Sequence, residues 1–355
     1  MVIIDRYIAR SVILGFLLSA LVLLSIFVFI DFISQLEDVG KGDYGVLQAA
    51  VYVLLGLPQR LYMLSPSILL LGGILSLGAL AANSELIVMR SSGISTVRIT
   101  RSVLQTGLII ALLVAVIGEY IVPAATSMAK SYRAEAIEKK LIFAGMNNVW
   151  MRDGNRYINV KQILPDNVLH QIYVYELNDK RELSTIIYAD KAQYQDEEWV
   201  LHDIKRSDIT ETGVTVAFEK LMRLKQLVIL ELFSVIELTS QDMSAQDLLN
   251  YSQYLEDNHL DDDEYMLEFW IKVFTPLTCL AMLLIAMPVV FATTPRSGGI
   301  GQRIVLGILI GVVYYVINRV INHLGLALNI TPVLSASMPL LMLIAVSFYL
   351  MKRVN

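Results

Sequence analysis

The stretch "NSELIVMRSSG", residues 83–93, lies between two long apolar runs and combines charge, capping chemistry and helical spacing. Ser84 is a residue type that caps helix starts, and Gly93 one that ends them. On a helix between them Glu85 and Met89 share one face, and Leu86 and Arg90 the next. A short amphipathic helix at the end of a membrane span is suited to a groove on a soluble motor. In the plainer reading, Leu86, Ile87 and Met89 only touch the membrane interface, and Glu85 favours the helix N-terminus by about 0.3–1 kcal/mol. The residues alone leave these two readings level. Other chemistry is sparse. The sequence has no G-x-x-x-x-G-K-S/T, no H-E-x-x-H and no G-x-S-x-G. Cys279 is the single cysteine, and His170, His202, His259 and His323 are scattered. The glycines of "RSGGIGQR", 296–303, follow an apolar run and not a strand, so they read as a turn. We therefore expect no catalytic residue, no metal ligand and no cofactor site on this chain.

The elements that must hold these residues are mostly membrane helices. Of 355 residues, 55% are hydrophobic and 17% charged, where soluble domains average roughly a quarter charged. The acids and lysines gather between residues 131 and 265. Six apolar segments approach or exceed the ~20 residues of a span: 11–31, 61–82 and 97–122, then 267–292, 303–324 and 332–351. The first is longer than the roughly 7–15 apolar residues of a signal peptide, so an uncleaved span is expected. The run "GVLQAAVYVLLGLP" before the second span predicts an interfacial or tilted helix kinked at Pro58. A net charge of −5 without a basic stripe excludes nucleic-acid binding.

Arg6, Arg10, Arg90, Arg98, Arg101, Arg296, Arg303, Lys352 and Arg353 fall on one side of this topology, with only Asp5 and Glu85 as acids. By the positive-inside rule that side is cytoplasmic, both termini included, and the polar insert is extracytoplasmic. The insert holds short β-branched and aromatic runs broken by Asp-Gly, Pro-Asp, Asn-Asp and Thr-Gly, which predicts an antiparallel β domain. After it, "MSAQDLLNYSQYLEDN" predicts a helix with Ser244 as N-cap and Asp247 three residues on. The expected organisation is 1–130 for three spans with the helix at 84–93, 131–262 for the β domain and its connecting helix, and 263–355 for three more spans.

"DRYIARS", "SELIVMRSSGIS", "GEYIVPAA" and "MAKSYRAEA", in this order and with three spans on either side of a β domain, resemble the LptF/LptG family of lipopolysaccharide export permeases. The D-R-Y-I, S-E-L-x-V-M and G-E-Y combination sits closer to the LptG branch. The resemblance covers essentially the whole chain. It implies a Gram-negative inner-membrane protein of six transmembrane helices with a periplasmic all-β, jellyroll-like domain. It also implies an LptF-like permease partner, two copies of an LptB-like ATPase that bind the ATP and Mg, and an LptC-like protein receiving the lipid. Ser84, Glu85, Leu86, Met89, Arg90 and Gly93 would then belong to the coupling helix, with Glu85 meeting a basic residue in the ATPase.

A lipopolysaccharide carrier needs cations near the outer end of an apolar cavity, because the lipid presents phosphates on an acylated sugar. Arg60, Lys130, Arg133 and Arg319 are the candidates; the alternative for all four is interfacial snorkelling. Asp31, Glu37, Asp38 and Glu119 form an acidic outer rim, and the first three stand where relatives are expected to place lysines at the end of span one. Asp31, Glu37 and Asp38 could hold divalent ions that bridge lipid phosphates, or the lipid could carry different charges, and Arg319 could pair with Asp31 or Glu119. Phe27, Phe29, Phe32, Tyr62, Leu70, Val313 and Ile317 are candidates for the cavity lining, although aromatics on membrane helices more often serve packing. Competing readings are an LptF-like paralogue, a membrane scaffold and a secondary transporter with its own ion site. The last fits poorly, since the charges lie near the outer ends and the span centres are aliphatic.

Overall fold

The computed structural model describes residues 3–138, 147–164, 168–178, 182–195, 198–210, 213–224, 239–291 and 300–354. The chain begins with α1 (Ile3–Leu36), α2 (Val46–Leu55) and α3 (Leu57–Ala82), then the short α4 (Glu85–Ser91). α5 (Thr96–Val116) runs through a π-helical turn, Ile117–Ile121, into α6 (Val122–Glu138). The second half has α7 (Ala245–Asp257), α8 (Asp263–Phe291), α9 (Ile300–Ala327) and α10 (Pro332–Val354). Six of these helical runs are long and apolar enough to cross a membrane, α5 and α6 counting as one. The third run reaches Glu138, past the change of texture near residue 130. α2 and α3 meet at Gly56, with Pro58 in the first turn of α3, where its missing N–H breaks no bond.

α3 and α8 form the centre of the bundle. Their most apolar stretches are 78% and 61% buried, against 17% for α1 and 11% for α9. The outer spans therefore leave apolar flanks for lipid or for a second subunit. Small residues allow the closest contacts, as expected where lipid removes the hydrophobic drive between helices. A methyl group on Gly15 of α1 would lie 2.3 Å from the Gly72 carbonyl oxygen of α3, so the two backbones touch there.

Between the two sets of spans lies one antiparallel sheet of β1 (Asn147–Asp153), β2 (Arg156–Leu164), β3 (Val168–Leu177), β4 (Leu183–Gln195), β5 (Glu198–Thr210) and β6 (Gly213–Leu224). Each strand pairs with the next in sequence. Gly154 takes a left-handed conformation, φ +56°, in the Asp-Gly turn joining β1 to β2. Alternate residues of β2 to β5, including Ile158, Val160, Ile172, Val174, Ala189, Trp199 and Leu201, form a buried face. The inserted all-β domain is thus present, as an up-and-down sheet. Jellyroll crossovers do not occur among the described residues. Residues 225–238, the end of the "VTVAFEKLMRLKQL" run included, lie outside them, as do Pro165, Asp166, Asp179, Thr212, Arg296 and the glycines at 298–299.

Candidate functional site

α4 is anchored on one side and free on the other. Leu86 is 4% exposed and packs among Ile8, Val12, Leu80 and Ile99, with Met89 and Ile94 beside it. The helix ends in a Schellman turn. Gly93, at φ +86°, donates its N–H to the Arg90 carbonyl (3.1 Å), and Ile94 donates to Met89 (3.1 Å). Glu85 accepts a hydrogen bond from the Tyr7 hydroxyl of α1 at 2.7 Å. What remains outward is Ile87, Val88 and Arg90. Two sequence expectations change here. Ser84 occupies the N-cap position, but its side chain makes no capping bond. Its backbone is left-handed, φ +59°, because it reverses the chain between α3 and α4. Leu86 and Met89 are anchors within the bundle, so a partner would meet Ile87 and Val88 instead.

At the other end of the bundle, three of the four cations expected to face lipid are paired within the chain. Arg60 gives two hydrogen bonds to Asp31 of α1, at 2.7 and 3.1 Å. Arg133 of α6 bonds Asp38 and stacks over the Tyr52 ring, 5.7 Å from its centroid. Lys41 also reaches Asp38, at 2.5 Å. Lys130 bonds Asp242 at 3.0 Å. The cations remain within reach of solvent, the side chains of Arg60, Lys130 and Arg133 being about a third exposed (33%, 30% and 37%), whereas Asp242 itself is buried. Exposed ion pairs are worth at most about 1 kcal/mol, so a lipid phosphate can compete for Arg60 and Arg133. The acids resolve differently. Asp31 and Asp38 neutralise arginines, Glu37 is exposed, and Glu119 binds backbone N–H groups. Among the described residues no three His, Cys, Asp or Glu side chains form a group that could hold a metal ion by themselves. Arg319 pairs with neither Asp31 nor Glu119. It is exposed on α9, at a crevice shared with Glu268.

A second set of polar contacts joins the spans to the chain leaving the β domain. Asp242, 2% exposed, accepts from Gln59 of α3, from Lys130 of α6 and from Thr239 (2.7 Å). Glu119, in the π turn, accepts from the N–H of Ala245 at 2.8 Å and lies 3.4 Å from that of Gln246. A carboxylate is well placed there, facing the unpaired N–H groups of the α7 N-terminus. Ser244 and Asp247 cap the same end as a capping box. Across the π turn, Lys272 of α8 donates to the Gly118 carbonyl at 3.1 Å and lies over the Tyr62 ring.

The expected lining residues scatter. Tyr62 packs against Gly118 and also lines a crevice between α3, α8 and α9, and Leu70 is fully buried between the central helices. Leu70 is therefore core and does not line a cavity. Phe27 and Phe32 are partly buried, Phe29 and Val313 are exposed, and Ile317 is intermediate. Sequence reasoning passed over Tyr7, Gln59, Asp242, Glu268 and Lys272. Glu268 and Lys272 carried a usable signal, being ionisable residues four apart inside an apolar span.

Residues 6–353 match the family model described as lipopolysaccharide export system permease LptF/LptG. The lipopolysaccharide export system permease protein LptG of Escherichia coli K12 is 31% identical over 354 residues, 99% of this chain and 98% of that protein. The protein of the same name from Haemophilus influenzae is 29% identical over 351 residues, 98% of each chain.

Proposed function

Since the chain belongs to the LptF/LptG family of lipopolysaccharide export permeases, we propose that it is the LptG-type subunit of an ATP-driven exporter. In this reading the multi-pass inner-membrane chain draws lipopolysaccharide from the outer leaflet and hands it to a periplasmic bridge. An LptF-like permease completes the cavity, and an LptC-like protein takes the lipid at the β domain. Two copies of an LptB-like ATPase supply ATP and Mg²⁺ chemistry; this chain carries none. The arginine distribution supports cytoplasmic termini and a periplasmic sheet.

The observation that carries the reading is α4: locked to α1, α3 and α5 through Leu86, Met89 and Glu85, with Ile87, Val88 and Arg90 outward. A push on the free face is transmitted to the spans because the other face is packed core, which is not continuously deformable. α3 and α5 both leave α4 directly, and they lead to Arg60 and, through α6, to Lys130 and Arg133. Movement there would exchange aspartate for lipid phosphate on these cations, or the reverse, so that the lipid is gripped and then released.

The test is purification of the tagged chain, co-expressed with its genomic neighbours, as wild type and as Val88→Asp. Co-purification of an ATPase with the wild type and its loss from the variant supports the reading. If neither form retains an ATPase, α4 does not couple to a motor, and a scaffold or secondary transporter takes its place.

A further inference from the structure

A crevice of about 430 Å³ lies between α3, α8 and α9, at the end of the bundle that carries the sheet. That volume falls in the range of small-ligand sites, roughly 300–1,000 Å³. Its walls differ in charge. α8 contributes Glu264 and Glu268, and α9 contributes Arg319. Among the described ion pairs none includes Arg319, although Glu268 faces it across the same space. Lys272, one turn beyond Glu268 on α8, points its ammonium to the Gly118 carbonyl instead. Asn318, Asn322 and His323 of α9 line the same wall, and the buried Oδ1 of Asn322 has no hydrogen-bond partner among the described residues.

Opposite charges held apart in one crevice near the outer ends of the spans, beside an orphan acceptor, define the complementary ligand. A purely anionic group would meet the two carboxylates, and a purely cationic one would meet Arg319. A dipolar group satisfies both walls. An ammonium with N–H donors can also fill the Asn322 acceptor, which a quaternary ammonium cannot. We propose that this crevice binds a phosphoethanolamine headgroup, its phosphate on Arg319 and its ammonium on Glu268, Glu264 and the Asn322 carbonyl. The group is carried by membrane phospholipid and, as a decoration, by lipopolysaccharide phosphates. The inference takes Arg319 as a phosphate contact but needs neither ATPase nor transport, so it can fail separately from the reading above.

The experiment purifies the full chain with its partners, removes bound lipid, and adds back single lipids before native mass spectrometry and thermal unfolding. Phosphatidylethanolamine should be retained, and should raise the unfolding midpoint, above phosphatidylcholine and phosphatidylglycerol at equal mole fraction. In Glu268→Gln and Arg319→Gln its retention should fall about tenfold or more, the size expected for one charged hydrogen bond. A parallel arm compares lipopolysaccharide with and without phosphoethanolamine; preference for the decorated form alone assigns the site to the exported lipid. Equal retention of all three phospholipids by the wild type, with no preference between the lipopolysaccharides, overturns the proposal. So does unchanged retention in both variants. If a variant fails to fold, the wild-type comparison decides.

Discussion

Leu86 and Val88 stand two residues apart on one short helix and have opposite jobs. Leu86 is buried among three spans, so Leu86→Ala removes packed atoms and leaves a cavity. Such a change costs about 2–5 kcal/mol, and we expect a lower unfolding midpoint in detergent. Val88 is 61% exposed, and Val88→Asp should leave that midpoint unchanged. At the other end, Lys41, and after it Arg133, hold the Asp38 carboxyl below the ordinary carboxylate range. A lowered folded value means a stabilising contribution that is present above the unfolded value, about 3.9, and is lost as pH falls through the folded one. Asp38→Asn should therefore lower the unfolding midpoint at pH 7, and the gap from wild type should close below pH ~4. An unchanging gap from pH 7 to 3 would mean that the ion pairs contribute nothing. The sequence announced the residue types of this rim but not their pairing. Asp31 and Arg60 are 29 positions apart, and Asp38 and Arg133 are 95 apart. Only packing of α1, α2, α3 and α6 brings such side chains together, and no local period encodes it.

The spans and strands themselves were legible because each is dictated locally, by apolar length in one case and alternation in the other. The break at Gly56–Pro58 and the Ser244–Asp247 capping box were legible for the same reason. The π turn was not, although Gly118 within it and Pro123 just after it, which lacks the N–H for the Glu119 carbonyl, both weaken an ordinary α-helix there. Its value lies in what it presents, the Gly118 carbonyl to Lys272 and the Glu119 carboxylate to the start of α7. With Asp242 gripping Gln59 and Lys130, the segment between sheet and α8 is tied to α3 and to the α5–α6 run. Movement of those helices should therefore reach the β domain. Asp242→Asn combined with Glu119→Gln is expected to leave ATP hydrolysis of the assembled complex near wild type. Delivery of lipid to the β domain, read by photo-cross-linking, should fall several-fold. Equal loss of both activities would make these contacts structural only.

Across the whole molecule the charges divide the labour. An arginine-rich end carries a helix with a fixed inner face and a free outer face. The opposite end carries cations paired to aspartates, Arg60 and Arg133 in solvent-reachable pairs and Lys130 to the buried Asp242. The central claim is that force applied to α4 moves lipid at the far end. The most direct measurement is ATP-dependent release of lipopolysaccharide from proteoliposomes to a periplasmic acceptor, with complexes carrying wild-type chain or Val88→Asp. The account predicts release with ATP for the wild type, and release at the ATP-free level for Val88→Asp although the variant still binds the lipid. Equal ATP-dependent release by the two, or wild-type release that needs no ATP, would contradict it.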